Sequence, residues 1–349
     1  MKVELLGLAD DFSTKSGLGI QRYMYGLYNN LHKIDSGIEK ADFKRIKFLG
    51  NGPSLIIKEL FKDFNYYDIV HNLMPVPFFN IKIKKRRYKL ISTAHDFQVA
   101  LYPEFTFDHN IVLKDKLWLK LIINQGYKTI LSSDYIIAIS SQTKEEAIKL
   151  GFDKRKIYLV PLGLDERFIK SIKMYKNKNT FVVGYIGALR KRKNLEFGIK
   201  ASNSITNPKI TFEIWGRKSF EYEYLVSISN NKNLRFKGFA PEKKLVETYD
   251  SFDVFIFPSY HEGFGFEILE AQSRGLPVII YKYGKIPKEV RKYCFEAESP
   301  EHMAQIIENL KENGYNEKLQ KEATAYARSF TWERCGKETL NTYIKALEN

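Results

Sequence analysis

The stretch His261-Glu262-Gly263-Phe264-Gly265-Phe266-Glu267-Ile268-Leu269-Glu270-Ala271 sets two carboxylates, Glu262 and Glu270, eight positions apart with a Gly-Phe-Gly turn between them. An apolar run, Val254-Phe255-Ile256-Phe257-Pro258-Ser259, precedes it and reads as a strand. Gly275 and Pro277 follow as a helix stop. The order is strand, glycine turn, helix. A helix N-terminus carries unpaired N–H groups and about half a positive charge, which together hold phosphate. Glu262 falls on the loop and Glu270 about a turn and a half into the helix, so at about 1.5 Å rise per residue they span roughly 10 Å. A ligand with hydroxyl groups at both ends and a diphosphate between them, such as a nucleotide sugar, matches that span. The competing reading is a surface helix whose early glutamates favour its dipole.

Outward from this stretch, strand and helix patterns alternate. Leu5 to Ala9, Ile69 to His71, Leu90 to Ala94 and Tyr135 to Ile139 read as strands, and 19–33, 113–131 and 141–150 as helices. After a basic, apolar-poor stretch from Lys170 to Thr180 the pattern restarts, with strands at Phe181–Ile186, Thr211–Trp215, Val254–Phe257 and Pro277–Ile280. Such alternation predicts an α/β chain with mainly parallel, doubly wound sheets. A length of 349 residues fits two domains. Their expected bounds are 1–163 and 164–330, followed by a helical pattern from Thr331 to Leu347. Two such domains facing each other leave a cleft at the carboxyl ends of their strands, where open α/β sheets bind ligands.

Composition narrows the classes. A hydrophobic content of 44% supports a packed core and argues against disorder. No apolar run approaches the length of a membrane span, and Met1-Lys2-Val3-Glu4-Leu5-Leu6-Gly7 reads as a first strand rather than a leader. Cys294 and Cys335 stand far apart without metal-like spacing, so a reducing cytoplasm is the expected location. The six histidines form no H-x-x-x-H pattern, and no structural zinc is expected. The net charge of +15 suits nucleic acid, anionic lipid or phosphorylated substrates alike. Its densest cluster is Lys82-Ile83-Lys84-Lys85-Arg86-Arg87-Tyr88-Lys89, either a solvated loop or a face toward an anionic membrane. Segment 111–130 mixes lysines with Leu113, Leu117, Trp118 and Leu121; it is either a basic amphipathic helix on a membrane or one packed on its own sheet.

Three further motifs come directly after strands. Gly184-Tyr185-Ile186-Gly187-Ala188-Leu189-Arg190-Lys191-Arg192-Lys193-Asn194-Leu195 puts four successive cations at a helix start. They repel one another unless an anion sits there, and a departing diphosphate, gaining charge, would be stabilised by them. Thr93-Ala94-His95-Asp96-Phe97 presents a histidine able to donate or accept near neutral pH, or a buried structural His-Asp pair. Ser16-Gly17-Leu18-Gly19-Ile20-Gln21-Arg22-Tyr23 offers glycines that let backbone approach a phosphate or sugar, or simply a turn.

Taken together, these segments resemble the retaining glycosyltransferases of family 4, which have the GT-B fold. The family form E-G-F-G-[LF]-x-x-x-E-A is kept in full at 262–271. Lys193 matches the family's phosphate lysine; the arginine beside it is Arg190 or Arg192, since Ala188 replaces the usual arginine after Gly187. Thr93 to Asp96 resembles T-x-H-D, with Tyr102-Pro103-Glu104 adding to the match. Val160 to Asp165 resembles the turn before the interdomain linker, and Lys237-Gly238-Phe239 the segment beside the nucleotide base. The loop at Gly17 and Gly19 departs from the family by two extra residues before Arg22.

The resemblance implies transfer of a hexose from a nucleoside diphosphate sugar, GDP- or UDP-linked, to an acceptor hydroxyl with retention. The acceptor would be a glycan or a lipid-linked or cell-envelope saccharide. Glu262 would hold the sugar hydroxyls, and Gly263, Phe264, Gly265 and Phe266 would meet sugar and phosphate. Glu270 would bind the ribose, Lys193 and Arg192 the leaving diphosphate, and His95 the sugar from the other domain. The family reacts on one face of the sugar without an enzymatic nucleophile, the departing phosphate taking the acceptor's proton. It also implies that residues 331–349 cross back to the first domain. No Asp-x-Asp metal site is evident, so no metal is expected. A GT-B sugar-nucleotide epimerase, a basic nucleic-acid-binding protein and a non-catalytic sugar-binding protein are the alternatives.

Overall fold

The computed structural model describes residues 1–6, 19–34, 38–40, 66–73, 86–105, 124, 126–170 and 180–348. Parallel strands covered on both faces need continuous apolar runs, and inner strands such as Val254–Phe257 and Val278–Tyr281 form at such runs, whereas Ile210–Trp215 alternates buried and half-exposed residues. One sheet contains β1 (Val3–Leu6), β2 (Ile38–Lys40), β3 (Ile69–Asn72), β4 (Lys89–Ala94), β5 (Tyr135–Ala138) and β6 (Ile157–Leu159), in the order β2-β1-β3-β4-β5-β6. The other contains β7 (Phe181–Ile186), β8 (Ile210–Trp215), β9 (Leu234–Gly238), β10 (Val254–Phe257), β11 (Val278–Tyr281) and β12 (Phe295–Ala297), in the order β12-β11-β10-β7-β8-β9. All these pairings are parallel. Among the described residues, the four strands that sequence reading passes over, β2, β6, β9 and β12, are the four sheet edges.

The principal helices are α1 (Gly19–Ile34), α2 (Ser141–Lys149), α3 (Leu195–Ser204), α4 (Leu245–Asp250), α5 (Phe266–Ser273), α6 (Pro300–Asn313), α7 (Glu317–Arg328) and α8 (Trp332–Glu348). Their starts reflect local chemistry. The Ser140 hydroxyl accepts the Thr143 amide ahead of α2, and the Ser299 hydroxyl accepts the His302 amide ahead of α6, where Pro300 suits the first turn. Most of the expected helix 113–131 lies outside the described residues; the described portion, 124 and 126–131, is helical, with Ile130 buried.

The chain divides into two compact units: residues 1–101, 113–163 and 330–349 in one, and 102–112 with 164–329 in the other. The unbroken first domain expected over 1–163 therefore gives up the described residues 102–105. The reason is aromatic: Phe105 stacks on Tyr260 at 4.7 Å, and Tyr102 lies 5.2 Å from the His261 ring. In the first unit α8 lies along α1. A Cβ on Gly26 would overlap the Trp332 indole, and one on Gly163 would overlap the Thr331–Trp332 backbone, so both close approaches require glycine. The core of the second unit joins Val183, Tyr185, Phe212, Ile214, Val254 and Ile256 of the sheet to Ile199 of α3 and Met303 and Ile307 of α6.

Candidate functional site

Strand order fixes where a site forms. In the second sheet β7 lies beside β10, with β8 and β9 on one side and β11 and β12 on the other. The winding reverses at that pair, and open parallel sheets bind ligands beyond the carboxyl ends of the strands at such a reversal. The loop leaving β7 carries Arg192 and Lys193. The loop leaving β10 carries His261, Glu262 and the Gly-Phe-Gly turn.

Backbone and side-chain bonds tie the two loops together. Lys191–Lys193 make one tight turn, and Asn194 ends it in the left-handed region at φ 50°. The Asn194 side-chain amide donates to the Pro258 carbonyl at 3.0 Å, and the Tyr260 N–H donates to the Arg192 carbonyl at 3.0 Å. The Glu262 N–H donates to the Lys285 carbonyl at 3.0 Å, which holds the loop against a third segment. Gly265 then turns the chain into α5 at φ 98°, a conformation that favours glycine.

The charged groups meet on this frame. Lys193 Nζ lies 2.9 Å from Glu262 Oε1 and 3.1 Å from Glu267 Oε1, and it sits over the Phe257 ring at 4.7 Å. Arg192 Nη1 lies 3.1 Å from Glu262 Oε2 and donates to the His261 carbonyl. Lys193 and Glu262 are 4% and 5% exposed, so neither charge would be tolerated alone. Burial works against the Glu262 charge, but Lys193 first and Arg192 second outweigh it and hold the carboxyl well below its ordinary range. Of the two arginines left open by the sequence, Arg192 joins the cluster and Arg190 remains exposed.

Glu270 is nearly inaccessible, at 1% exposure, and accepts the Tyr249 hydroxyl at 2.8 Å. Phe264 and Phe266 are buried edge to face at 5.3 Å beside the buried Gly263, so their side chains shape the turn from within. Sequence reading missed Glu267; its signal was a carboxylate in the first turn of a helix expected to face phosphate.

In the first unit, His95 comes just after β4. Its Nε2 donates to the Leu73 carbonyl at 2.8 Å, and its ring stands edge-on to Tyr23 at 5.1 Å. Desolvation lowers its pKa, with the Leu73 carbonyl and Asp96 opposing, so the ring favours the neutral form. Asp96 does not orient this imidazole, as the pairing in sequence suggested: its Oδ1 accepts the Gln98 amide, opening the next helical turn.

Behind His95 lies a network that sequence reading did not find. His71 Nδ1 bonds the Tyr343 hydroxyl at 2.6 Å, and its Nε2 bonds Thr93 Oγ1 at 2.8 Å. The Thr93 hydroxyl in turn bonds Tyr23 at 2.7 Å. Burial, with His95 adding to it, lowers the His71 pKa to about 3.

Gly17 lies outside the described residues. Gly19 is the exposed first residue of α1, so Gly19 to Tyr23 belong to a helix rather than a loop. Of the basic cluster 82–89, Lys82 to Lys85 lie outside the described residues, and Arg86 is paired with Asp134 at 2.6 Å. Among the described residues no helix is long and apolar enough to cross a membrane, and no three His, Cys, Asp or Glu side chains gather as metal ligands.

Two family models match the chain: Glycosyltransferase Family 4 over residues 38–168 and Glycosyl transferases group 1 over 166–330. Among curated relatives, O-antigen chain mannosyltransferase B of Escherichia coli is 23% identical over 283 residues, 76% of this chain and 72% of that protein. Among solved structures, sucrose-phosphate synthase of Thermosynechococcus elongatus superposes with a TM-score of 0.75 at 18% identity, covering 99% of this chain and 98% of its own. HepE of Anabaena in complex with UDP and glucose superposes with a TM-score of 0.68 at 18% identity, covering 98% and 99%. The two family matches meet end to end and both sheets are parallel, so the chain belongs to the family 4, group 1 glycosyltransferases and is a glycosyltransferase of GT-B fold.

Proposed function

We propose that this glycosyltransferase moves a hexose from a nucleoside diphosphate sugar to a hydroxyl of a lipid-linked or cell-envelope glycan, with retention at the anomeric carbon. The observation that carries the reading is the buried cluster of Glu262, Lys193 and Arg192 at the point where the second sheet reverses its winding. Lys193 and Arg192 would meet the diphosphate as its charge grows, together with the first amides of α5. Glu262, still paired with the cations, would accept sugar hydroxyls on its remaining lone pairs, and His95 would meet the sugar. The bond from C1 to the phosphate oxygen breaks, the acceptor oxygen bonds C1 on the same face, and its proton leaves with the diphosphate. Glu270, held by the Tyr249 hydroxyl, would reach the ribose only by sharing that bond.

An O-antigen chain relative supports a cell-envelope acceptor, and a neighbour holding UDP and glucose supports a sugar nucleotide as donor. A uridine or guanosine donor, and glucose or mannose, both fit. The site supplies its own cations, so no metal is needed to hold the phosphates, and peripheral attachment to an anionic inner membrane face is consistent with a net charge of +15.

A thermal-shift panel of UDP, GDP, ADP and their sugars tests the reading, followed by anomeric NMR of the product. Stabilisation by one nucleotide family and an axial-to-axial or equatorial-to-equatorial outcome are expected. Inversion, or an epimer formed from donor alone, would replace this reaction with another.

A further inference from the structure

Glu267 stands where a phosphate seat should have no carboxylate. It belongs to the first turn of α5, the positive end of that helix, yet it brings a negative charge to that end. Its Oε1 lies 3.1 Å from Lys193 Nζ, opposite Glu262 at 2.9 Å. The lysine is thus held by two carboxylates at once, and the four groups Arg192, Lys193, Glu262 and Glu267 carry no net charge. Glu262 is 6% exposed in its side chain, whereas Glu267 is 24% exposed and borders solvent. An entering diphosphate can therefore displace Glu267 from the lysine without stripping a buried charge of its partner.

We propose that Glu267 sets the preference of this seat for donor over product. The inference rests on the phosphate-binding role proposed for Lys193. In a sugar nucleotide the diphosphate is esterified at both ends. After transfer its terminal phosphate is free, and a second ionisation near pH 6 adds about one negative charge at neutral pH. A carboxylate beside that phosphate repels product more than donor. Glu267 thereby lowers the hold on the leaving nucleoside diphosphate and limits product inhibition, while Glu262 keeps the ammonium aligned.

The test compares the wild type with Glu267→Gln and Lys193→Ala, using calorimetry with UDP and GDP and steady-state kinetics with the matching sugar nucleotide. Glu267→Gln should bind the nucleoside diphosphate about three- to tenfold more tightly, as for one partly screened charge at short range. The KM for donor should change less, so that product inhibition deepens. Equal shifts for donor and product, or no gain for product, would overturn the role of Glu267, provided Lys193→Ala still weakens binding. If Lys193→Ala binds as tightly as the wild type, the phosphate seat itself is misplaced and the Glu267 inference falls with it. Glu267→Ala, which also removes the lysine contact, should match Gln in product affinity; if it does not, the charge argument fails.

Discussion

Glu262 answers to two cations at once, and Glu262→Gln removes its charge while keeping its shape. Turnover should fall by about 100-fold or more, as for loss of a preorganised electrostatic group, with circular dichroism unchanged; an unaltered rate would remove this carboxylate from the reaction. Lys193→Ala should weaken nucleoside diphosphate binding about tenfold or more. His71 makes a different prediction. Its folded pKa of about 3 lies below the 6.5 of an unperturbed imidazole. The folded form therefore binds fewer protons, and stability is present above pH 6.5 and lost as pH falls toward 3. The slope approaches 1.4 kcal/mol per pH unit, so by pH 5 the wild type should have lost about 2 kcal/mol that a His71→Asn variant does not lose. Parallel denaturant midpoints for the two proteins across that range would contradict this.

At the scale of elements, α8 is the piece whose placement carries the most consequence. The Trp332 indole fills the space over Gly26, so Gly26→Ala should cost about 1–3 kcal/mol by overpacking, read as a lower urea midpoint with an unchanged slope. An unchanged midpoint would mean that α8 shifts freely along α1.

Legibility also divides at this scale. Among the described residues, the eight central strands were readable because each carries apolar positions packed against the core, as a continuous run in Phe181–Ile186 and Val254–Phe257 and as an alternating face in Ile210–Trp215. The four edge strands were not, because an edge has one neighbour and tolerates polar residues such as those of Leu234-Arg235-Phe236-Lys237-Gly238. Glu262, Lys193 and His95 were readable as motif positions just past strands. That Lys193 engages Glu262 and Glu267 together was not, because the contact joins loops from β7 and β10 across about 70 residues of chain, and no local spacing records it. His71 was hidden for another reason: within a strand it reads as one more interior position, and its partners come from β4 and α8.

For the molecule as a whole, charge and winding lead to separate expectations. On the proposed role of Lys193 and Arg192 in holding the diphosphate, transfer should persist in EDTA; loss of turnover restored by manganese would assign that task to a metal. The excess of 56 basic over 41 acidic residues should produce adsorption to anionic vesicles that weakens as salt is raised, and sedimentation with phosphatidylglycerol liposomes at two ionic strengths measures it. No binding at low salt would leave the positive charge without a membrane role.

The bond between His71 and Tyr343 spans 272 positions, which imposes an order on biosynthesis. When the ribosome has released the first sheet, the imidazole destined for its interior still lacks its phenol, and the groove along α1 still lacks its indole. The amino-terminal half must wait, incomplete, while the other half emerges and folds. A nascent chain arrested ahead of Trp332 should thus remain a protease-sensitive client of chaperones, and release of the last helix should act as the latch that ends this dependence.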